Sequence, residues 1–180
     1  FIGEVLGVYR SDDWEGSFRT RLEDYLPAVE ADSGRLRQLL HNLIKNSIEA
    51  ADEVSKCCVT IATRGVQESG MEYVEMRLQD NGPGIPEDLE EHLFEPYVTD
   101  KPKGSGLGLA VVKKIVEEHG GLVWVENVAR GGACIVVRFP AEPAVQASAE
   151  EKNDTADQID DVSAASQQNK EENQQNRRKA

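Results

Sequence analysis

The chain has 180 residues, 33 acidic against 20 basic, a formal charge of −13 and 39% hydrophobic residues, which fits one globular domain with some poorly hydrophobic extra chain. No run approaches the roughly 20 apolar residues that cross a bilayer, and the first residues lack the basic-then-apolar order of a secretory signal. The carboxylate excess works against nucleic acid, whose phosphates must be neutralised by clustered Lys and Arg.

These balances predict a soluble, cytoplasmic segment with no nucleic-acid partner and no direct membrane contact. The three cysteines are Cys57, Cys58 and Cys134. The first two are neighbours in a strand-like stretch and would pair only with strain, so buried thiols in a reducing compartment are expected.

In chain order, residues 1–30 read as a linker with a helix end and a small strand pair. Residues 35–51 carry Leu36, Leu39, Leu40, Leu43, Ile44 and Ile48 at helical spacing, with Asp32 or Ser33 available to cap the start. Asn42 and Asn46 are one turn apart, opposite that stripe. Two neutral amide oxygens suit a hard cation that already holds phosphate oxygens, where carboxylates would add more negative charge. Polar residues on a wet helix face account for them as well.

Residues 57–64 and 72–80 have β-type composition, the second alternating Val74, Met76 and Leu78 against Glu75, Arg77 and Gln79. With Glu68-Ser69-Gly70 as the turn they predict an antiparallel pair. Asp80 ends the second strand and opens the run Asp80-Asn81-Gly82-Pro83-Gly84-Ile85-Pro86. Its glycines allow close backbone approach to a ligand, and an ionised carboxylate accepts from an exocyclic amine such as adenine N6. A surface turn explains Asp-Asn-Gly too.

A short acidic helix is expected at residues 87–93, then a mobile loop over residues 95–105. Lys103-Gly104-Ser105-Gly106-Leu107-Gly108-Leu109 runs directly into a second helix, residues 107–119. Exposed N–H groups at such a helix start hold phosphate with few charged side chains, and Lys101 and Lys103 stand just before it. The spacing is neither the dinucleotide fingerprint nor a P-loop. That helix stops at Gly120-Gly121, and strands at residues 122–127 and 133–139 flank a turn at residues 128–132.

From residue 143 onward the chain loses its aromatic residues and nearly all large aliphatic ones, which predicts a disordered polar tail over residues 143–180. Residues 31–142 remain as the folded domain. Neighbouring strands joined by turns, between helices rather than alternating with them, predict an α+β fold: a two-layer sandwich of a mixed, mostly antiparallel sheet with helices on one face.

Together, an amide-bearing helix face, a carboxylate on a glycine turn and a glycine-rich helix start flanked by lysines are the parts needed for Mg-ATP. The chain resembles the ATP-binding catalytic domain of two-component sensor histidine kinases, within the gyrase, Hsp90, histidine kinase and MutL superfamily. The N box matches residues 41–50 (HNLIKNSIEA), the first glycine box residues 80–86, the F box residues 93–99 (LFEPYVT), and the second glycine box residues 104–109. A last glycine turn is Gly131-Gly132. The resemblance spans residues 32–140 with the boxes in order, and its wording is similar to the nitrogen-regulation sensor kinases of the NtrY group.

The resemblance implies the Bergerat ATP-binding fold and a protein-histidine kinase activity using ATP and Mg²⁺. It makes Asn46 the Mg²⁺ ligand, with Asn42 beside it on the phosphate side and Lys101 as a further catalytic residue. Asp80 would read the adenine amine, with Gly82, Gly84 and Ile85 shaping its pocket. Gly104, Ser105, Gly106, Leu107, Gly108 and Leu109 would cradle phosphates, joined by Lys45 and Lys103. Lys101 and Lys103 are implied γ-phosphate contacts, although solvated lysines fit the same positions. Residues 95–105 would be a lid anchored by Phe94 and Tyr97. Where many relatives have Thr, this chain has Ala133.

The implied partners are a histidine-bearing dimerisation domain of the same kinase and a response-regulator receiver domain, with the parent anchored in a bacterial inner membrane and the fragment monomeric. None of His41, His92 and His119 is followed directly by an acidic residue with a proline shortly after, the context of a phosphoacceptor, and all three read as structural or surface residues. Two other readings are a gyrase-, Hsp90- or MutL-type ATPase, which needs a Glu base where Asn42 stands, and a non-catalytic nucleotide-binding module.

Overall fold

In a computed structural model that describes residues 1–9, 16–51, 53, 56–99, 104–129 and 131–142, the chain begins with α1 (Ile2–Tyr9), β1 (Ser17–Leu22) and α2 (Ser33–Ala50). It continues through β2 (Cys58–Glu68), β3 (Met71–Gln79), α3 (Glu87–Glu90), α4 (Gly108–Glu118), β4 (Leu122–Asn127) and β5 (Ala133–Pro140). The expected tail at residues 143–180 lies outside the described residues.

The sheet order is β1-β2-β3-β5-β4. Three of its four pairings are antiparallel, and β1 runs parallel to β2 from Ser17↔Cys58 to Leu22↔Thr63. Alternation along β3 sends Met76 and Leu78 to the face that also carries Ile61, Ile135 and Val137. The apolar stripe of α2 and residues Val112, Ile115 and Val116 of α4 pack on that face, joined by Val5 and Leu6 of α1. This is the two-layer α+β sandwich expected, with a mixed sheet and helices on one face.

The element limits differ in informative ways. Asp32, not Ser33, caps α2, its carboxylate accepting the Arg35 N–H at 2.8 Å. The β2–β3 hairpin pairs as far as Glu68↔Met71, so β2 runs four residues beyond the end its composition indicates, while β3 keeps the expected length and starts one residue earlier. Ser69 (φ 52°) and Gly70 (φ 81°) form a two-residue turn whose positive φ values match strand twist. The acidic helix is a single turn, α3, with Pro86 at its N-cap position and no side-chain cap. Among the described residues of the first thirty there is one strand, β1, and its partner is β2, far along the chain.

β3 is held in register on its outer face by charge. Glu75 is fully buried; its Oε1 accepts from Arg64 Nε at 2.8 Å and its Oε2 from Arg138 Nε at 2.7 Å. Arg77 pairs with Glu126, which also accepts from Trp124 Nε1 at 2.9 Å. Burial alone would raise the Glu75 carboxyl, but the hydrogen bonds and charges of Arg138 and Arg64 outweigh it and hold it below the usual carboxylate range. A lowered folded-state value means stability present above the unfolded carboxyl value of about 4.3 and lost as pH falls through the folded one. The urea midpoint is therefore expected to fall below about pH 4.3, and Glu75→Gln to flatten that acid limb at a cost near pH 7 of about 2 kcal/mol. An unchanged acid limb in the variant would remove Glu75 from the account.

Candidate functional site

A cavity of about 650 Å³ opens between α2, the start of α4 and the loop that follows β3. Asn42 and Asn46 reach it from α2, one turn apart. Gly108 opens α4 directly opposite: a Cβ there would lie 3.3 Å from Asn46 Oδ1 and 3.8 Å from Asn42 Oδ1. Any larger residue would press on the amides, so this glycine sets how closely the α4 start approaches α2. Leu107 provides no side-chain cap for α4, and the N–H groups of a helix's first turn favour an anion.

Asp80 forms the other end of the cavity, at the tip of β3, and is 9% exposed. Its Oδ1 accepts the Gly82 N–H at 2.9 Å and the Ala133 N–H at 3.1 Å, and its Oδ2 accepts the Ser47 hydroxyl at 3.3 Å. Its own N–H donates to Ala133 O at 3.0 Å, fixing the carboxylate against β5. Asn81 ties the turn to the segment after α2, accepting the Cys58 N–H at 2.7 Å and donating to Lys56 O at 2.9 Å. Cys57 lies behind Asp80; burial and the Asp80 charge push its thiol up, which leaves it unreactive. Cys57 and Cys134 are buried as expected, and no disulfide joins the three cysteines.

Asn127, the last residue of β4, holds the far side of the glycine turn. Its Oδ1 accepts the Ile85 N–H at 2.8 Å and its Nδ2 donates to Ile85 O at 3.0 Å, so the side chain pairs with Ile85 as a strand neighbour would. Asn127→Ala is expected to release Gly84 to Pro86 and weaken the ligand of this cavity about tenfold, with β4 intact, since two exposed hydrogen bonds are lost. Titration calorimetry beside a circular-dichroism melt separates the two effects, and undiminished binding would refute the role.

Of the residues singled out from sequence, Asn42, Lys45, Asn46, Asp80, Gly84, Ile85 and Gly104 through Leu109 all line this one cavity. Gly82 acts one step back, through its N–H to Asp80. Lys45 is mostly exposed, within 3.7 Å of Glu49 one turn on. Lys101 and Lys103 lie outside the described residues. Phe94 packs against the core, but Tyr97 does not anchor through its ring: its φ of 69° turns the side chain outward to 78% exposure. What ties the loop there is main chain, the Tyr97 N–H donating to Gly106 O at 2.9 Å. Sequence reasoning missed Ser47 and Asn127. Ser47 stands next to Asn46, and a hydroxyl among apolar helix residues was the available signal; Asn127 carried none.

The histidines have structural partners. Tyr9 Oη lies 2.7 Å from His41 Nδ1, linking α1 to α2. His119 Nδ1 lies 2.7 Å from Ile115 O while its Nε2 accepts the Asp32 N–H at 3.1 Å, an arrangement suited to a ring with its proton on Nδ1. His92 pairs with Glu95, which holds its imidazole above the usual range. Among the described residues no group of three or more His, Cys, Asp and Glu could hold a metal, and no helix is long and apolar enough to cross a membrane.

Comparison with known proteins gives the family. The model described as histidine kinase-, DNA gyrase B-, and HSP90-like ATPase matches residues 31–143. The chain is 40% identical over 108 residues to the sensory histidine kinase/phosphatase NtrB of Rhizobium leguminosarum bv. phaseoli, covering 54% of this chain and 28% of that protein. Among solved structures it is similar to the nucleotide-free catalytic domain of histidine kinase ThkA, with TM-score 0.67, 32% identity, and coverage of 78% of this chain and 90% of that one. It is also similar to full-length ShkA in complex with AMPPNP, with TM-score 0.64, 27% identity, and coverage of 79% and 30%. The chain spans 12% to 33% of the length of such sequence relatives.

Proposed function

The chain belongs to the histidine kinase-, DNA gyrase B-, and HSP90-like ATPase family, and we propose that it is the ATP-binding catalytic domain of a two-component sensor histidine kinase. In this reading it transfers the ATP γ-phosphate to a histidine on a dimerisation domain, for relay to an aspartate of a response-regulator receiver domain. The observation that carries it is the single cavity that unites Asn42 and Asn46, the fixed Asp80 carboxylate and the start of α4. A site with a buried acceptor at one end and uncapped helix N–H groups beside neutral amides at the other fits an amine-bearing base joined to a polyphosphate. The nucleotide analogue bound to the ShkA relative agrees with it.

Each residue then has a part. Asp80 accepts the base amine, held in place by the Gly82 and Ala133 N–H groups, while Gly84 and Ile85 form the pocket wall that Asn127 secures. The main chain from Gly104 to Leu109 receives phosphate oxygens at the α4 start, with Lys45, Lys101 and Lys103 as supplementary cations. The donor set fits Mg²⁺: Asn46 would hold it, with Asn42 adjacent, as neutral oxygens suited to a cation already balanced by phosphate. A magnesium ion held there would supply charge neutralisation for the transferred phosphoryl group. Asn42 stands where the hydrolases of the family would need a base, which supports transfer to an external imidazole over attack by water.

The parent protein, by this reading, is a bacterial sensor anchored in the inner membrane, with the catalytic domain on the cytoplasmic side. Isothermal titration of the chain with ATP in the presence and absence of Mg²⁺ tests the proposal, with micromolar-range affinity expected only with the metal. Absence of heat in both would refute it. Mixing the Mg-ATP-loaded chain with a histidine-bearing dimerisation domain and following acid-labile phosphate then tests the transfer.

A further inference from the structure

Ser47 follows Asn46 on α2 but faces the opposite end of the cavity. It is 4% exposed and donates its hydroxyl to Asp80 Oδ2 at 3.3 Å. Oδ1 of the same carboxylate is taken twice, by the N–H groups of Gly82 at 2.9 Å and Ala133 at 3.1 Å. A carboxylate offers about four acceptor positions, two per oxygen. The chain's own donors fill three of them, from α2, the glycine turn and β5, and these three directions fix the plane of the group as well as its location.

We infer that Ser47 is a positioning and specificity-determining residue: with the two main-chain donors it leaves Asp80 one acceptor position, on Oδ2, for a purine that presents a 6-amino group. The inference rests on the adenine-nucleotide reading above and adds the element that selects the base. A 6-oxo purine turns a carbonyl oxygen toward the same carboxylate and is rejected by lone-pair repulsion. A 6-amino purine supplies the fourth hydrogen bond, and the carboxylate is then fully matched when the base shuts out water.

Without the hydroxyl, Oδ2 keeps one unmatched position after the base has displaced its water. That penalty arises only in the bound state, so it lowers affinity rather than stability. The helix itself loses nothing, because alanine is the better helix former. A serine serving only to pack α2 would behave in the reverse way.

Calorimetry on the full chain with Mg-ATP decides the matter through a double-mutant cycle. S47A is expected to bind ATP about tenfold more weakly than the wild type. Ser47 acts through Asp80, so S47A/D80N should lie within about twofold of D80N alone. Wild-type affinity in S47A, or the full tenfold loss repeated on the D80N background, would overturn the inference.

The equal-volume pair Ser47→Thr and Ser47→Val repeats the contrast between hydroxyl and no hydroxyl and stands in if S47A does not fold. Thr is expected to bind about tenfold tighter than Val, and equal affinities would overturn the inference. If D80N binds ATP as tightly as the wild type, the adenine reading itself has failed, an outcome distinct from a failure confined to Ser47.

Discussion

Asp80→Asn is expected to lower ATP affinity about 100-fold while leaving the fold in place, because the substitution reverses polarity at one atom only. The asparagine oxygen can still accept from Gly82 and Ala133, the two N–H groups that Asp80 Oδ1 receives. Its amide nitrogen then stands where Oδ2 was, next to the Ser47 hydroxyl, which can accept as readily as it donates. The local network survives, but a donor now faces the donor amine of adenine. A charge-assisted hydrogen bond contributes roughly 1.5 to 3 kcal/mol, and an unmatched buried donor adds a similar penalty. At about 1.4 kcal/mol per tenfold, the low end of that sum, about 3 kcal/mol, gives about two decades. The same reversal should favour ITP, whose 6-oxo group accepts, so titrating wild type and variant with both nucleotides exposes a crossover. Undiminished ATP binding in the variant would remove Asp80 from base recognition.

Gly132→Ala is expected to be the most damaging single methyl in the domain, since a Cβ there would lie 2.1 Å from Asp80 O and 2.9 Å from Asp80 C. Those atoms are main chain and cannot swing aside. The residue also sits at φ 97°, where a side chain is strained whatever the space. Overlap and strain together imply a loss of about 3 kcal/mol or more, with displacement of the strand end that presents Asp80. The neighbouring Gly131 is the control: its φ of 93° carries similar strain, but its nearest contact, Gly82 O, is 3.6 Å away. Gly131→Ala should therefore cost only the conformational part, about 1 to 2 kcal/mol. Urea midpoints compare the two directly, and equal losses would place the damage in backbone conformation rather than in the approach of β5 to Asp80.

Much of this protein could be read without its structure because its signals are local. The spacing of Leu39, Leu40, Leu43 and Ile44 makes a helix with one buried face wherever it is placed. The alternation of Val74, Met76 and Leu78 does the same for a strand, and the glycines around Asp80 and before α4 mark where main chain approaches a ligand. These patterns, with the order of the boxes, determined the α+β class, the cavity-lining residues and the family.

Tertiary structure alone decided the partnerships. β1 lies parallel to β2 although nothing near it in sequence names that strand. The ring of Tyr97 points outward because one positive φ turns it there. Ser47 and Ala133 converge on Asp80, and Asn127 pairs with Ile85, from elements whose own periodicity is silent about each other. Periodicity and turn chemistry are written within a few residues, whereas a hydrogen bond between distant elements exists only once the sheet has brought them together.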